Sequence, residues 1–306
     1  MRIIIAGGSG LIGRELTSAL VDDGYEVIIL SRNPDKVVGM PVGVKILQWD
    51  GRTVQDWVKE MENTDVIINL TGENISGEGI FPTRWTNKRK ERLLQSRVDS
   101  GKVLSKAIAM SDKKPGVFIQ ASGITYYGMH WENQATEESG VGNGYLASIC
   151  IDWEASSEPV EALGLRRVIV RNGIVLSTKG GALLPLLMQY KFFVGGPIGD
   201  GRQVYSWIHI ADEINAIRFL IEDDHARGIY NLTSPNPVTN IEFGQTIGEV
   251  LKRPHYFRLP GFAMRLAFGE VASMVLEGQR VLPKKLLEQG YIFKFPKLAD
   301  TLIDLL

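Results

Sequence analysis

The segment Gly7-Gly8-Ser9-Gly10-Leu11-Ile12-Gly13 decides the fold, because it joins an apolar run at residues 2–6 to the start of a predicted helix. Each glycine has a separate use in such a segment. Gly7 permits a tight turn, Gly10 lets the backbone approach a pyrophosphate, and Gly13 lets the helix pack closely on the sheet. The first helical turn offers unpaired N–H groups and a positive partial charge to phosphates. The segment therefore predicts a dinucleotide site, with a purely structural glycine turn as the alternative.

Short apolar runs alternate with helical stretches through the first two-thirds of the chain. Several runs are apolar throughout, which is typical of parallel strands that are covered on both faces. The alternation predicts right-handed crossovers and hence an α/β fold, a Rossmann-type doubly wound parallel sheet. The predicted strands are Ile3–Ala6, Val27–Leu30, Val44–Leu47, Val66–Leu70, Val117–Ala121 and Arg167–Val170, and the predicted helices are Leu11–Asp22, Thr53–Met61, Thr86–Met110 and Tyr145–Leu163.

The alternation loosens after about residue 174, where glycine-rich stretches follow one another. A chain of 306 residues is long for one simple domain and short for two large ones. We predict a nucleotide-binding domain over residues 1–175. A smaller, mainly helical substrate lobe is predicted over residues 176–306, closing over the carboxyl ends of the strands.

Composition argues against several classes of partner. The net charge of −1 gives no reason to expect nucleic acid or an anionic membrane. The single cysteine, Cys150, excludes an internal disulfide framework and suits a reducing compartment. No signal peptide is recognisable, and no stretch reaches the roughly 18 uninterrupted apolar residues of a membrane span. We therefore expect a cytoplasmic protein without a nucleic-acid or membrane partner.

The most apolar late segment, residues 262–276, is interrupted by Arg265 and Glu270. This pattern favours an amphipathic helix that packs on the core. A helix lying on a membrane surface is the alternative.

The end of the second predicted strand indicates which dinucleotide binds. An NAD site usually carries Asp or Glu there to bond the ribose 2′-hydroxyl, whereas this chain has Ser31 and Arg32. A guanidinium is well shaped for a phosphate, so the pair favours NADP(H), with an exposed surface arginine as the alternative for Arg32. Asp50, after the third strand, could bond the adenine amino group or be a turn residue before Gly51.

Distinctive motifs are spread along the whole chain, at residues 65–72, 84–86, 96–98, 153–155, 171–177, 206–212, 278–283 and 290–293. They resemble those of one branch of the extended short-chain dehydrogenases/reductases, the epimerase family proteins of the 39U1 type with a DUF1731-like C-terminal domain. The resemblance implies the Rossmann fold, NADP(H) binding and a DUF1731-like segment at about residues 250–300. It also implies cofactor contacts from the strand-four residues Leu70, Thr71, Gly72 and Glu73.

The resemblance implies a catalytic tyrosine, a lysine four residues later and a hydroxyl near the end of strand five. Tyr145 can occupy the tyrosine position, but Ile149 stands in the lysine position. Gly123 falls where sugar epimerases have serine, so Ser122 and Thr125 are the candidate hydroxyls, with backbone capping or packing as the alternative. Tyr145 is either the acid/base or a pocket wall.

Four further features attract attention. Tyr205 stands where many nucleotide-sugar enzymes have a diphosphate-binding arginine, although Arg202 is near. The case for a sugar-nucleotide substrate is therefore weaker, but this substrate is not excluded. The basic stretch at residues 84–97 is either a solvated helix face or an anionic-substrate site. We expect His209 to have a structural role at a strand end. We expect Cys150 to be buried by packing, with a role as a nucleophile as the alternative. No metal site is expected, because the histidines are scattered.

The sequence thus leaves two functions open. The first is an NADP(H)-dependent oxidoreductase or epimerase that acts on an unidentified small carbonyl or hydroxyl substrate. The second is a catalytically degenerate NADP(H)-binding sensor or assembly protein. The expected partner is a small molecule, and a homodimer is one candidate oligomeric state.

Overall fold

The computed structural model describes residues 1–77, 79, 82–129 and 134–306, and in it strands and helices alternate as predicted. The strands are β1 (Arg2–Ala6), β2 (Glu26–Ser31), β3 (Lys45–Gln48), β4 (Val66–Asn69), β5 (Val117–Gly123), β6 (Gln134–Ala135), β7 (Arg166–Asn172), β8 (Ile174–Leu176), β9 (Val204–Tyr205), β10 (Trp207–His209), β11 (Gly228–Leu232), β12 (Val238–Thr239) and β13 (Arg280–Val281). The helices are α1 (Leu11–Asp22), α2 (Asn87–Met110), α3 (Tyr145–Ala155), α4 (Pro159–Ala162), α5 (Leu183–Lys191), α6 (Ile210–Glu222), α7 (Asn240–Leu251), α8 (Gly261–Phe268), α9 (Ser273–Leu276), α10 (Lys284–Glu288) and α11 (Leu298–Leu305).

Seven strands form the central sheet, in the order β11-β7-β5-β4-β1-β2-β3, and all their pairings are parallel. This order reverses between β1 and β4, so the loops that follow these two strands border the crevice where open α/β sheets bind ligands. The predicted doubly wound Rossmann sheet is confirmed.

Both faces of the sheet are covered, which explains the continuous apolar runs within several of its strands. Successive side chains of a strand point to opposite faces. In β1, Ile3 and Ile5 join the hydrophobic cluster that includes residues of α1 and α6, whereas Ile4 and Ala6 join the cluster that includes residues of α2. All four side chains are fully buried.

Two predicted helices differ from the structure in detail. Residues 56–63 form a 3-10 helix instead of an α-helix. The predicted helix Tyr145–Leu163 is divided into α3 and α4, with Pro159 at the start of α4. Proline lacks a backbone N–H and begins a helix more readily than it continues one.

The smaller lobe has its own hydrophobic cluster, built from residues between 174 and 251 together with α11. Residues after 175 also contribute to the nucleotide-binding half, since α6 packs on α1 and β11 pairs with β7. The division at residue 175 therefore stays a prediction.

Two of the quoted motifs meet each other in the lobe. The Asp212 carboxylate accepts hydrogen bonds from the backbone N–H groups of Lys294 and Phe295, at 2.7 and 2.8 Å. The Val281 N–H donates a hydrogen bond to the Ser206 Oγ at 2.8 Å. The motif at 206–212 thus contacts the motif at 278–283 and the two residues that follow the motif at 290–293.

The prediction of one core helix over residues 262–276 is wrong for α8. No residue of α8 is buried, and only the following 3-10 turn inserts Val271 and Ala272 into the interior. Within the described residues, no helix is long and apolar enough to cross a membrane.

Candidate functional site

The glycine segment forms the turn between β1 and α1, and its glycines differ in what requires them. Gly7 has a left-handed φ of +81°, and a Cβ on it would lie 2.9 Å from the carbonyl carbon of Leu70. A Cβ on Gly13 would lie 2.5 Å from the Gly7 oxygen. Gly10 has an ordinary φ of −76°, and its Cβ would meet only the Gly7 oxygen, at 3.3 Å. The fold itself therefore demands Gly7 and Gly13 much more strongly than Gly10.

The N-terminus of α1 carries neither a side-chain cap nor an acidic residue. Its N-cap, Gly10, supplies no side-chain hydrogen bond, and its first turn contains no acidic residue. The N–H groups there are consequently left for a ligand, and the helix dipole favours negative charge. Arg14 fixes the turn from outside by donating from Nε to the Ser9 carbonyl at 3.0 Å.

The end of β2 presents Ser31 and Arg32 next to this turn in the sheet. Ser31 is buried, and its Oγ accepts a hydrogen bond from the Asn33 N–H at 3.2 Å. The Arg32 side chain is exposed and makes no hydrogen bond or ion pair within the described chain. Its guanidinium is therefore available to a phosphate.

Asp50 caps the turn that follows β3. Its Oδ1 accepts from the backbone N–H groups of Arg52 and Thr53, each at 2.8 Å, and its Oδ2 accepts from the Thr53 hydroxyl at 2.6 Å. The Thr53 hydroxyl, with these N–H groups, lowers the pKa of Asp50. The geometry matches the turn alternative, and an adenine contact stays a prediction.

The loop after β4, residues 70–73, borders the same crevice. The Thr71 N–H donates to Asn69 at 3.2 Å, and the Glu73 N–H donates to the Ser96 hydroxyl at 3.0 Å. The Thr71 Oγ1 is buried and has no hydrogen-bond partner among the described residues. An unpaired buried hydroxyl beside the crevice is a group that a bound ligand would satisfy.

Arg97 holds this loop in place, a role that we did not predict from the sequence. Its guanidinium donates to the carbonyl oxygens of Leu93 at 2.8 Å and Glu73 at 3.1 Å. A Cβ on Gly72 would lie 3.0 Å from its Cζ. Arg97 forms no ion pair with a described carboxylate, and burial lowers its pKa. A buried, unpaired cation thus lies directly behind the strand-four loop.

The solvated-face interpretation of residues 84–97 is wrong for Arg89 and Arg97, which are buried, whereas Arg84 is exposed. Arg89 is buried and donates to the Asn74 and Ile75 carbonyls, at 3.0 and 3.1 Å. Arg84 donates to the carbonyl oxygens of Ala267 and Leu266 at the end of α8. Sequence periodicity could not show this, because the partners are backbone carbonyls of distant loops.

Ser122, at the end of β5, lies in a buried polar network. Its hydroxyl donates to Glu154 Oε1 at 2.7 Å. The same carboxylate accepts a bidentate pair of hydrogen bonds from Arg171, both at 2.8 Å. Because Ser122 is 3% exposed and its hydrogen is given to a carboxylate, the packing alternative describes its geometry.

Thr125 lies on the same side of α3 as Ser122. Its Oγ1 is 3.3 Å from the Cys150 Sγ, and Cys150 and Glu154 are one helical turn apart on α3. Burial raises the pKa of the Cys150 thiol, which argues against a nucleophilic thiolate. Thr125 is half-buried, and its hydroxyl has only this weak sulfur partner among the described residues.

Tyr145 and Ile149 face α2. The Tyr145 ring packs edge-on against Trp85, with 5.4 Å between the ring centres, and Ile149 is buried in a cluster with Leu93. Burial raises the pKa of the Tyr145 phenol, and the charge of Arg97 only partly opposes this shift. The structure therefore separates Tyr145 from the helix face that meets Ser122 and Thr125, and a catalytic Tyr145 stays a prediction.

Tyr205 and His209 have structural partners. The Tyr205 hydroxyl donates to the Val275 carbonyl at 2.9 Å. His209 is the N-cap of α6, because its Nδ1 accepts from the Ala211 N–H at 2.9 Å. Among the described residues, no group of three or more His, Cys, Asp and Glu side chains is arranged to hold a metal ion.

Comparisons with known proteins cover the whole chain. Residues 3–233 match the model of the NAD dependent epimerase/dehydratase family, and residues 259–305 match the domain of unknown function DUF1731. The epimerase family protein YfhF of Bacillus subtilis is 37% identical over 100% of this chain and 98% of its own length. The mouse epimerase family protein SDR39U1 is 36% identical over 99% of each chain.

A solved structure with the same architecture is that of human epimerase family protein SDR39U1 (isoform 2) with NADPH. It has a TM-score of 0.87 and 32% sequence identity, and the match covers 100% of this chain and 99% of that chain.

Proposed function

The chain belongs to the NAD-dependent epimerase/dehydratase family, and on this basis we propose that it binds NADP(H) at the glycine turn and reduces a small carbonyl substrate. The observation that carries the proposal is the contrast among the glycines. Nothing in the fold demands the absence of a side chain at Gly10 as it does at Gly7 and Gly13. A pyrophosphate on the N-terminus of α1 supplies the missing reason.

Three observations support the fit of an NADP(H) molecule. The first turn of α1 is free of acids and of side-chain caps. The exposed Arg32 follows β2, where an NAD site would place an acid. The buried Thr71 hydroxyl has no described partner in the loop that borders the same crevice. The NADPH named with the human relative agrees with this choice of cofactor.

Arg97 is proposed as a positioning residue for the cofactor. Its charge lies behind Gly72 and forms no salt bridge with a described carboxylate, although the charge of Glu73 acts on it, so a phosphate across the loop would be attracted to it. It also supplies the site with a cation, although Ile149 occupies the position of the family lysine.

We propose that the substrate lies beside the end of β5, next to Thr125. When bound, NADPH supplies a hydride to an electrophilic carbon. Thr125 would donate a hydrogen bond to the substrate oxygen. The proton that this oxygen needs when the carbonyl is reduced comes from water. A sugar nucleotide is not favoured, because Tyr205 is tied to Val275 and Gly123 offers no hydroxyl.

The substitution Gly10→Val tests the cofactor site. Gly10 has an extended backbone, φ −76° and ψ 179°, which a β-branched residue accepts, so we expect the fold to remain while NADPH binding is lost. Circular dichroism and NADPH fluorescence are the readouts. Gly140→Val is the matched control, because a Cβ there would meet no atom within 4 Å. Undiminished NADPH binding by Gly10→Val would refute the proposed site.

A second function, that of an NADP(H)-binding sensor or assembly protein, is favoured by one specific observation. The hydroxyls of Ser122 and Tyr145 are both engaged by other groups of the protein. A spectrophotometric screen of NADPH consumption separates the two functions, using a panel of aldehydes and ketones. Consumption with a small carbonyl supports the reductase, and tight binding without consumption across the panel supports the sensor.

A further inference from the structure

Exposed apolar side chains are concentrated on one part of the smaller lobe. Eight of the nineteen large apolar side chains that are exposed in the described chain lie within residues 192–194 and 256–266. The two segments run side by side, because the N–H groups of Tyr256 and Phe257 both donate to the Gly195 carbonyl, at 2.9 and 3.0 Å.

Helix α8 extends this region. Phe262 and Leu266 are one turn apart on α8 and are each 76% exposed. We call residues 191–194, residues 252–259 and the outward side of α8 the aromatic-basic surface.

Every charged residue in its two loop segments is a cation. Residues 191–194 and 252–259 contain Lys191, Lys252, Arg253 and Arg258, all of them exposed, and no Asp or Glu. The Arg253 guanidinium lies over the Phe193 ring, 4.3 Å from its centre. Since the whole chain carries a net charge of −1, this is a local concentration of positive charge.

The backbone of the same surface contains two strained residues. Phe193 (φ 61°) and Lys252 (φ 53°) are the non-glycine residues with a left-handed φ in the described part of the chain. Each follows a helix in a position that glycine usually fills. After α5, the Phe193 N–H donates to Tyr190 at 3.0 Å and the Val194 N–H to Gln189 at 2.8 Å.

The same pattern ends α7, where the Lys252 N–H donates to Glu249 at 3.2 Å and the Arg253 N–H to Gly248 at 2.8 Å. A side chain in this conformation lowers local stability. An exposed phenylalanine and an exposed lysine are thus kept where glycine would be more stable. Strain of this kind clusters at functional sites.

We propose that the aromatic-basic surface docks the protein on an anionic membrane surface. Aromatic rings insert at the level of the lipid headgroups, while Lys and Arg reach anionic phosphates. A symmetric contact with a second copy of the chain would place the four cations of one surface against the same four cations of the other. Electrostatic repulsion therefore opposes self-association through this surface. The docking is peripheral, and it departs from the expectation of no membrane partner, which relied in part on a core helix at residues 262–276.

Vesicle co-sedimentation of the full chain tests the proposal, with phosphatidylcholine vesicles that contain or lack phosphatidylserine. We expect binding only to the anionic vesicles, weakened by added salt. Phe193→Gly is the diagnostic variant. It should melt at the same or a higher temperature, while vesicle binding falls about tenfold because one aromatic side chain that enters the membrane is lost. Lys252→Gly should also keep or gain stability and lose about fivefold in binding.

Val42→Ser is the matched control, since Val42 is 99% exposed outside this surface, and it should bind like the unmutated chain. Three results would overturn the proposal. These are absence of binding to anionic vesicles at low salt, equal binding to neutral vesicles, and unchanged binding by Phe193→Gly. Loss of a concentration-dependent dimer in Phe193→Gly would also overturn it, because the surface would then serve self-association.

Discussion

The hydroxyl of Tyr145 donates a hydrogen bond to the carbonyl oxygen of Lys90 at 2.8 Å, which ties the first residue of α3 to α2. The bond gives the phenol hydrogen to the backbone, and burial keeps the phenol neutral by raising its pKa. Ile149, one turn further along α3, is buried and extends the same contact. The geometry favours a tether between two helices over an acid/base.

Tyr145→Phe distinguishes these roles. As a tether, Tyr145 contributes one hydrogen bond, so its loss should lower the free energy of unfolding by about 0.5–1.5 kcal/mol. NADPH affinity and any NADPH-dependent turnover should change by less than about threefold. Chemical denaturation and steady-state assays are the measurements. A loss of turnover on the order of a hundredfold or more, with NADPH affinity retained, would identify Tyr145 as the proton-transfer group.

Arg97→Met tests the buried cation behind the strand-four loop. We expect NADPH affinity to fall about tenfold or more, because a charge-assisted contribution of about 1.5–3 kcal/mol is removed. The salt dependence of NADPH binding should weaken as well, which a merely structural residue would not cause. Arg97→Lys keeps the charge and should bind NADPH more tightly than Arg97→Met. Unchanged affinity and salt dependence in Arg97→Met would exclude the role.

Glycine spacing and apolar runs were sufficient to predict the sheet. The family was predicted from the resemblance of motifs along the whole chain, such as residues 206–212 and 278–283, and the structure shows that these two motifs contact each other. The environments of Ser122 and Tyr145 could not be predicted, since their partners Glu154 and Lys90 are distant in sequence and one of them is a backbone carbonyl. Arg97 was missed for the same reason. A cation on a helix is buried or solvated according to tertiary contacts, which local periodicity does not contain.

Glu213 should make stability depend on pH. It is fully buried in the first turn of α6, neither of its carboxylate oxygens has a described partner, and burial raises its pKa from 4.5 to about 8. The folded state therefore binds the proton more tightly than the unfolded state. The stabilisation is complete below about pH 4.5 and is lost progressively as pH rises to about 8.

Glu213→Gln, which is neutral at every pH, should remove this loss. At about 1.4 kcal/mol per pKa unit, the unmutated chain should lose a few kcal/mol more than Glu213→Gln between pH 5 and pH 8. Urea unfolding at several pH values measures the difference, and Glu91→Gln, at an exposed position of α2, is the control. Parallel pH dependences of the unmutated chain and Glu213→Gln would show that Glu213 is ionised in the folded protein.

Calorimetric titration of the unmutated chain and of Arg32→Ala with NADPH and with NADH measures whether the site prefers NADPH. We expect the unmutated chain to bind NADPH at least about tenfold more tightly than NADH, because Arg32 meets the 2′-phosphate. Arg32→Ala should lose this preference by weakening NADPH alone, whereas Arg227→Ala, at an exposed position before β11, should keep it. Equal affinities of the unmutated chain for NADPH and NADH would exclude an NADP(H) site of this kind.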